Sequence, residues 1–531
     1  MLLSQWSGTP PNDSPELAEF FHVFRRDGRF VTDGATSCSL GLPLEQAGRP
    51  LPEGVFTSWK WDGQELRATN CRYGMCPLFY YVTPDEFCIS SSLLTLLQRG
   101  APRILDHAAL AVFLRLGFFL GEDTPFHSIR QLPPNAVLRW RDGHMDLATS
   151  LVQCKLQPIS RAAAVEGYAS LFRAAIQRRL PQGNEFVMPI SGGRDSRHIL
   201  FELMTAGQQP KFCVTARHFP PRPNPDLEVA KNLCTALNLR HVVLELPASR
   251  VLTEQRKNVQ THFCTEEHAW ALAMADRLRG ETRVLYDGIA GGILSACAFQ
   301  SEEKLQLYYG DMQGLARTLL ESRTNENVIR RLLTPDFYSC VAPELAVERL
   351  NAELKRHANS PNPVQSFYFW NRTRRAVALL PFGILKDFQV HAPYLDHDLY
   401  DFLTSLPPEI VLDHQFHNET IQMTYPQYRD IPFEQKRTVS VEDRSYYRRL
   451  CRELAGVILR HGRSEFIRNS LVLSRVAAGA VDGNARWTWW GATRALLLLQ
   501  LEDLAIVRHA GRQLEKFLST DRQSLDLHGN D

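Results

Sequence analysis

The chain has 531 residues, 44% of them hydrophobic and 22% charged, a balance that fits a soluble globular enzyme. Its 60 basic and 58 acidic residues leave a formal net charge of +2, which excludes a global electrostatic attraction to nucleic acid or to an anionic membrane. The length exceeds what one ordinary core fills and predicts two domains before three.

The opening stretch MLLSQWSGTPPND has no basic region and only a stub of apolar residues, so no secretory signal is expected. The first third then reads as β-rich. RFVTD, GVFTSWKWDG, ELRATN, LFYYVT and EFCISSS are short runs of β-branched and aromatic residues between turn signals. AVLRWRDGHMDL predicts two strands around an Asp-Gly turn. The texture changes near residues 150–160, where a domain boundary is expected. SRAAAVEGYASLFRAAIQRRL has apolar residues at helical spacing. Strand EFVMPI, helix DSRHILFELMTAG, strand KFCVTA, helix DLEVAKNLCTALN, strand HVVLEL and a fourth strand in TRVLYDG follow in turn. Strands alternating with helices predict a parallel sheet covered on both faces. Beyond residue 300 the chain reads as mostly helical. The longest apolar stretch, RALLLLQLEDLAIVRH, is too short and too charged to span a bilayer and predicts a buried or amphipathic helix. Eleven cysteines run from Cys38 to Cys451; the closest pair, Cys71 and Cys76, has no second pair at zinc-finger spacing. An odd count without a signal predicts reduced thiols in a cytoplasm.

SGGRDS sits where the first strand of the parallel sheet ends and a helix begins. Ligands of such sheets bind beyond the carboxyl ends of the strands. Gly192 and Gly193 would expose successive N–H groups, and Ser191, Ser196 and the helix start would add donors, together an anion cradle. Asp195 cannot bind phosphate itself, but it can hold Mg²⁺ between phosphates. The lysine of GxxxxGKS/T and the pattern GxGxxG are both missing. A plain strand-to-helix turn is the competing reading.

The motif resembles the PP-loop of the N-type ATP pyrophosphatases, and the wider resemblance is to the asparagine synthetase family. TPFHSIRQLPPNAVLRW (124–140) resembles that family's interdomain linker, and CRYGMCPLFYY resembles its N-terminal DxxGxRPLYY stretch. DLEVAKNLCTALNLRHVVLEL, HAPYLDHDLYDFLTSLPPEI and IPFEQKR resemble its later segments in the right order. The resemblance implies an α/β protein of two domains. Residues 1–155 would form a degenerate glutaminase-like, Ntn-hydrolase-like β-rich sandwich. Residues 156–531 would form a PP-loop synthetase domain of the adenine nucleotide alpha hydrolase type with a largely helical C-terminal part.

Residue by residue, the resemblance implies ATP and Mg²⁺ as cofactors. Ser191, Gly192, Gly193, Asp195 and Ser196 would hold the phosphates, with Asp195 a Mg²⁺ ligand. Val214 matches a position near the adenine, although periodicity alone reads it as core. Asp226 reads either as a helix cap or as a site residue. Lys436, in IPFEQKR, matches the catalytic lysine that meets the acyl-adenylate and offsets developing charge. Three departures stand out. The residue after Met1 is Leu2 and the first cysteine is Cys38, so no N-terminal glutaminase nucleophile is expected. The second metal acid of the family falls on Ala290 or Gly292, which leaves Asp287 as the metal candidate beside a simple turn reading. Gln389 and His391 replace the family's Glu and Arg and suggest a rebuilt substrate side. The expected activity is ATP-dependent ligation: a carboxylate is adenylated and an amine already in the substrate displaces AMP. Lasso-peptide cyclases and β-lactam synthetases work in this way, and the former implies a precursor peptide and an associated protease as partners. The alternatives are asparagine synthetase-type amidation with ammonia, and a nucleotide-binding pseudoenzyme.

Overall fold

The computed structural model describes residues 18–45, 52–181, 183, 185–219, 224–431, 444–482 and 486–505. Ten strands come first: β1 (Phe20–Arg26), β2 (Arg29–Gly34), β3 (Ser37–Leu44), β4 (Glu53–Trp61), β5 (Leu66–Asn70), β6 (Phe79–Thr83), β7 (Glu86–Ser90), β8 (Arg130–Gln131), β9 (Val137–Arg141) and β10 (His144–Ala148). They pair antiparallel into two five-stranded sheets, ordered β2-β1-β7-β6-β8 and β10-β9-β5-β4-β3. Burial alternates along β3, β9 and β10, as a half-buried sheet requires, while β1, β6 and β7 carry runs of consecutive buried residues. In β9, Leu138 and Trp140 point inward while Arg139 and Arg141 point out. Phe21, Tyr80 and Ile89 of the first sheet share one core with Trp59, Ala68 and Trp140 of the second, so the sheets face each other as a sandwich. Asp142 and Gly143 take positive φ between β9 and β10, the two-residue turn that the Asp-Gly pair predicts.

Helices α1 (Leu93–Gln98) and α2 (His107–Leu116) interrupt the sandwich. Neither was expected from the sequence. After residues 149–160, which carry no helix or strand, comes α3 (Arg161–Gln177). A third sheet then builds up from β11 (Phe186–Pro189), β12 (Phe212–Ala216), β13 (His241–Leu244), β14 (Val284–Tyr286) and β15 (Gln389–His391). All its pairings are parallel, in the order β13-β12-β11-β14-β15. Every residue of β12 is buried, the continuous apolar run of a strand covered on both faces. The helices α4 (Arg194–Thr205) and α5 (Pro225–Ala236) connect β11, β12 and β13. Four of the five strands match the expected ones; β15 does not.

The sandwich does not float free of the parallel sheet. A second continuous core runs from Val55 and Tyr73 through α2, the parallel sheet and the C-terminal helices to Leu501. Arg374 stitches the parts together, donating to Gly121 O at 3.0 Å, Leu132 O at 2.8 Å and Gly74 O at 3.3 Å. The apolar stretch around residue 496 lies in the helix Arg486–Leu504, where Leu496 to Leu499 are buried and Arg494 pairs with Glu266. Among the described residues, no helix is long and apolar enough to cross a membrane.

Candidate nucleotide site

The chain lays down β11 first and adds β12 and β13 on one side of it, then β14 and β15 on the other. Loops leaving β11 and β14 therefore part at their carboxyl ends and open a crevice there. Ser191, Gly192 and Gly193 follow β11, and α4 starts at Arg194 with Gly193 in the capping position. Asp287 follows β14 directly.

The turn is knitted to itself. Gly193 N–H donates to Ser191 Oγ at 3.1 Å and Ser191 N–H donates to Ser196 Oγ at 3.3 Å. Gly192 N–H donates to Asp226 Oδ1 at 2.8 Å. Two expectations change here. Gly193 has φ −72 and ψ 178, ordinary extended backbone, and Gly192 has no positive φ either, so the glycines are not chosen for left-handed angles. The N–H groups of this turn already have partners, which a phosphate would have to displace. Asp226 is not the cap of α5, since Asn224 holds that position; its carboxylate instead bridges the first turn of α5 to Gly192.

Asp195 lies in the first turn of α4 and packs on the loop after β14. Its Oδ2 accepts from Gly292 N–H at 2.9 Å. A Cβ on Gly288 would come within 2.7 Å of Asp195 Cβ, and one on Gly291 within 2.6 Å of its Cγ. This close approach explains Gly288 and Gly291 in DGIAGG, whereas a Cβ on Gly292 would meet Asp195 only at 3.5 Å. Ala290 turns this loop at φ 73, a strained angle for a side-chain-bearing residue. Burial pushes the Asp195 carboxyl up to about 7, against Gly292 N–H and Arg194, with Asp287 adding repulsion. Burial likewise pushes Asp287 up to about 6, against the Ile289 N–H. Asp287 Oδ1 accepts from that N–H at 2.7 Å, so the residue makes the turn that was its competing reading while standing electrostatically beside Asp195. Among the described residues no three His, Cys, Asp or Glu side chains form a metal cage. A pair of acids still fits Mg²⁺, which takes one or two carboxylates and fills its other positions with phosphate and water.

Of the expected residues, Ser191, Gly192, Gly193, Asp195, Ser196 and Asp287 therefore come together. Val214 does not join them: it lies in mid-β12 between Pro189 and Val242 with no exposed surface, so its side chain is core. Gln389 and His391 form the edge strand β15. His391 meets Tyr286 at 5.1 Å and lines a small cavity with Leu42, Val55 and Arg179. Its carbonyl accepts from Asp287 N–H at 2.9 Å, which ties the edge strand to the acid. Lys436 lies outside the described residues. The chain leading to it is docked on α4: Tyr425 donates to Glu202 at 2.5 Å, Tyr428 stacks on Phe201 at 4.4 Å, and Arg197 donates to Ile431 O at 2.9 Å. Sequence reading missed the polar group behind Asp195, namely His198, Tyr394, His417 and Ser295. His198 had a usable signal, three residues beyond Asp195 and so on the same side of the helix; His417 in QFHNET had none.

A parallel sheet with paired acids at its switch point, joined to an antiparallel sandwich, defines a candidate two-part nucleotide-dependent enzyme. Residues 47–150 match the family described as glutamine amidotransferase domain, and residues 167–419 match asparagine synthase. The two matches support placing the chain in the asparagine synthetase family, and the second supports an ATP-dependent carbon–nitrogen ligase. No curated protein sequence matches the chain. One solved structure, described as the allosteric regulatory enzyme of purine biosynthesis, is similar over 39% of this chain and 44% of its own at 12% identity. Its TM-score of 0.14 carries no argument.

Proposed function

We propose that this protein adenylates a substrate carboxylate with ATP and joins it to an amine carried by the same substrate, as in the closing of a lasso-peptide macrolactam. The observation that carries this reading is the pairing of Asp195 with Asp287 at the ends of β11 and β14, both raised by burial, beside the Ser-Gly-Gly turn. Two neighbouring half-buried acids with raised carboxyls are a good receptor for a divalent cation. Mg²⁺ held there would neutralise phosphate charge. In the first step a carboxylate oxygen bonds to the α-phosphorus of ATP and the bond to pyrophosphate breaks. In the second the amine nitrogen bonds to the acyl carbon, AMP leaves with the electron pair, and the nitrogen gives up one proton. The chain's own contribution is to hold both reacting groups together, which supplies much of the rate. Lys436 is assigned the charge that builds up as AMP leaves.

The thiols bear on the amine source. All eleven cysteines are free, which suits the reducing cytoplasm in which we place the protein. In the sandwich, which we read as a degenerate Ntn-type unit ending near residue 155, burial pushes Cys38 up to about 11 and Cys76 and Cys88 higher still. A glutaminase needs an activated thiolate, and these thiols stay protonated. Glutamine mixed with the protein should release no glutamate above background; hydrolysis that persists in Cys38→Ala would refute this.

The test of the whole reading is exchange of labelled pyrophosphate into ATP with candidate carboxylates. Exchange that depends on a peptide carrying its own amine is expected. Exchange with aspartate and product only with ammonia would instead identify asparagine-type amidation. A second reading, nucleotide binding without turnover, is favoured by one observation: Ala290 and Gly292 stand where the resemblance expects a second metal acid. ATP binding with no carboxylate-dependent exchange would establish it.

A further inference from the structure

Behind Asp195 lies a group of polar side chains that the proposed reaction leaves unused. His198 on α4 and His417 in the helix Phe416–Thr424 are both fully buried. Phe172 stacks on His198 with centroids 3.7 Å apart, and Tyr168 meets the two imidazoles at 5.4 and 5.6 Å. Burial holds both rings well below the ordinary histidine range, so each is neutral with one N–H. The hydrogen bonds then assign the tautomers. Ser295 donates its hydroxyl to Gly291 O at 2.7 Å, so its oxygen accepts from His417 Nδ1 at 2.9 Å. His417 Nε2 is then an acceptor, facing His198 Nδ1 at 3.2 Å and the Tyr394 hydroxyl at 3.3 Å. Two bare nitrogens would repel, so His198 carries its proton on Nδ1.

We propose that His417, backed by His198, Tyr394 and Ser295, is a positioning residue that fixes the Asp195 carboxyl for Mg²⁺. This rests on the metal reading of Asp195 given above. Two routes lead to the carboxyl. His417 Nδ1 stands 3.5 Å from Asp195 Oδ1. The same nitrogen grips Ser295, whose hydroxyl holds Gly291 O, next to the Gly292 N–H that Asp195 Oδ2 accepts at 2.9 Å. Tyr394 closes the far side, since a Cβ on Gly291 would come within 2.8 Å of its ring. Apolar side chains would fill this volume without the cost of burying two imidazoles. The polarity therefore serves the carboxyl.

The test is calorimetric ATP binding as Mg²⁺ is titrated, with the melting temperature as the check on folding. His417→Leu removes the N–H, His417→Asn keeps one near the Nδ1 position, and Ser295→Ala cuts the route through Gly291. His417→Leu and Ser295→Ala should raise the half-saturating Mg²⁺ by ~10- to 100-fold, the usual effect of losing a partner behind a metal ligand. His417→Asn should stay close to wild type. If His417→Leu does not fold, Ser295→Ala decides. Wild-type Mg²⁺ dependence in Ser295→Ala and in any folded His417→Leu, or equal losses in the leucine and asparagine variants, overturns the proposal. Asp195→Asn separates the two readings. If it loses Mg²⁺-dependent binding while the variants behind it do not, only the positioning role falls. If it binds ATP as wild type does, the metal reading falls, and the positioning role with it.

Discussion

Asp195 is held where a charge is unwelcome, against Gly288, Gly291 and Gly292 and in front of buried rings. Its carboxyl titrates near 7 in the folded chain and near 3.8 when exposed. A raised carboxyl favours the folded state at low pH, and that advantage is lost as pH rises through the folded value. In chelator, Asp195→Asn should therefore melt close to wild type at pH 4 and higher than wild type at pH 8, while losing carboxylate-dependent AMP release. Melting temperatures across that range check it; a variant less stable than wild type at pH 8 would mean that the carboxylate is paid back by contacts. The placement of Asp195 just past a strand end was legible in the sequence, because two glycines and an acid follow an apolar run. Its contact with three glycines about a hundred residues away was not, since no local pattern links the loops of β11 and β14. Val214 was legible as core from its periodicity, and its place near the adenine rests on the resemblance alone.

Two elements bear on the remaining proposed roles. In the loop from β14 to the helix Gly291–Ala296, Asp287 accepts from Ile289 N–H and is proposed as the second acid. Asp287→Asn separates the roles, because its amide oxygen keeps the turn while the charge is lost. It should fold and bind ATP only at raised Mg²⁺, by ~10-fold or more if the carboxylate is a ligand. Wild-type Mg²⁺ dependence would leave Asp287 as a turn residue. The other element is the run from Tyr425 to Ile431, pinned to α4 just before Lys436. Lys436→Ala should lower substrate-dependent AMP release by ~10² to 10³ at equal ATP occupancy, the typical cost of one preorganised charge contact. Lys436→Arg should not restore it, because a planar guanidinium places its charge elsewhere. Equal rates in wild type and Lys436→Ala would make the lysine surface. Four parallel strands were legible as apolar runs between helical periods. Strand β15 was not, because Gln389-Val390-His391 offers a single apolar residue, whereas the equally short β14 is Val-Leu-Tyr.

At the scale of the whole chain the sandwich and the parallel sheet share one continuous core, so neither is expected to unfold alone. Composition and strand pattern gave both halves, yet nothing in the sequence shows how they adhere. The adhesive is a charge in an apolar seam: Arg374 is fully buried and donates to three carbonyls of the sandwich side, Gly74, Gly121 and Leu132. Its neighbour Arg375 does the same for Gln131 Oε1 and Asp123 O. A backbone carbonyl left buried without a donor costs about 1–3 kcal/mol, so Arg374→Leu should destabilise by several kcal/mol even though leucine fills much of the space. Arg374→Lys should recover little, because one ammonium cannot reach three carbonyls that a planar fork meets at once. Chemical denaturation followed by tryptophan fluorescence and by far-UV circular dichroism should give one coincident transition in wild type. In Arg374→Leu the midpoint should fall by both probes. Unchanged midpoints would mean that apolar packing alone joins the two parts.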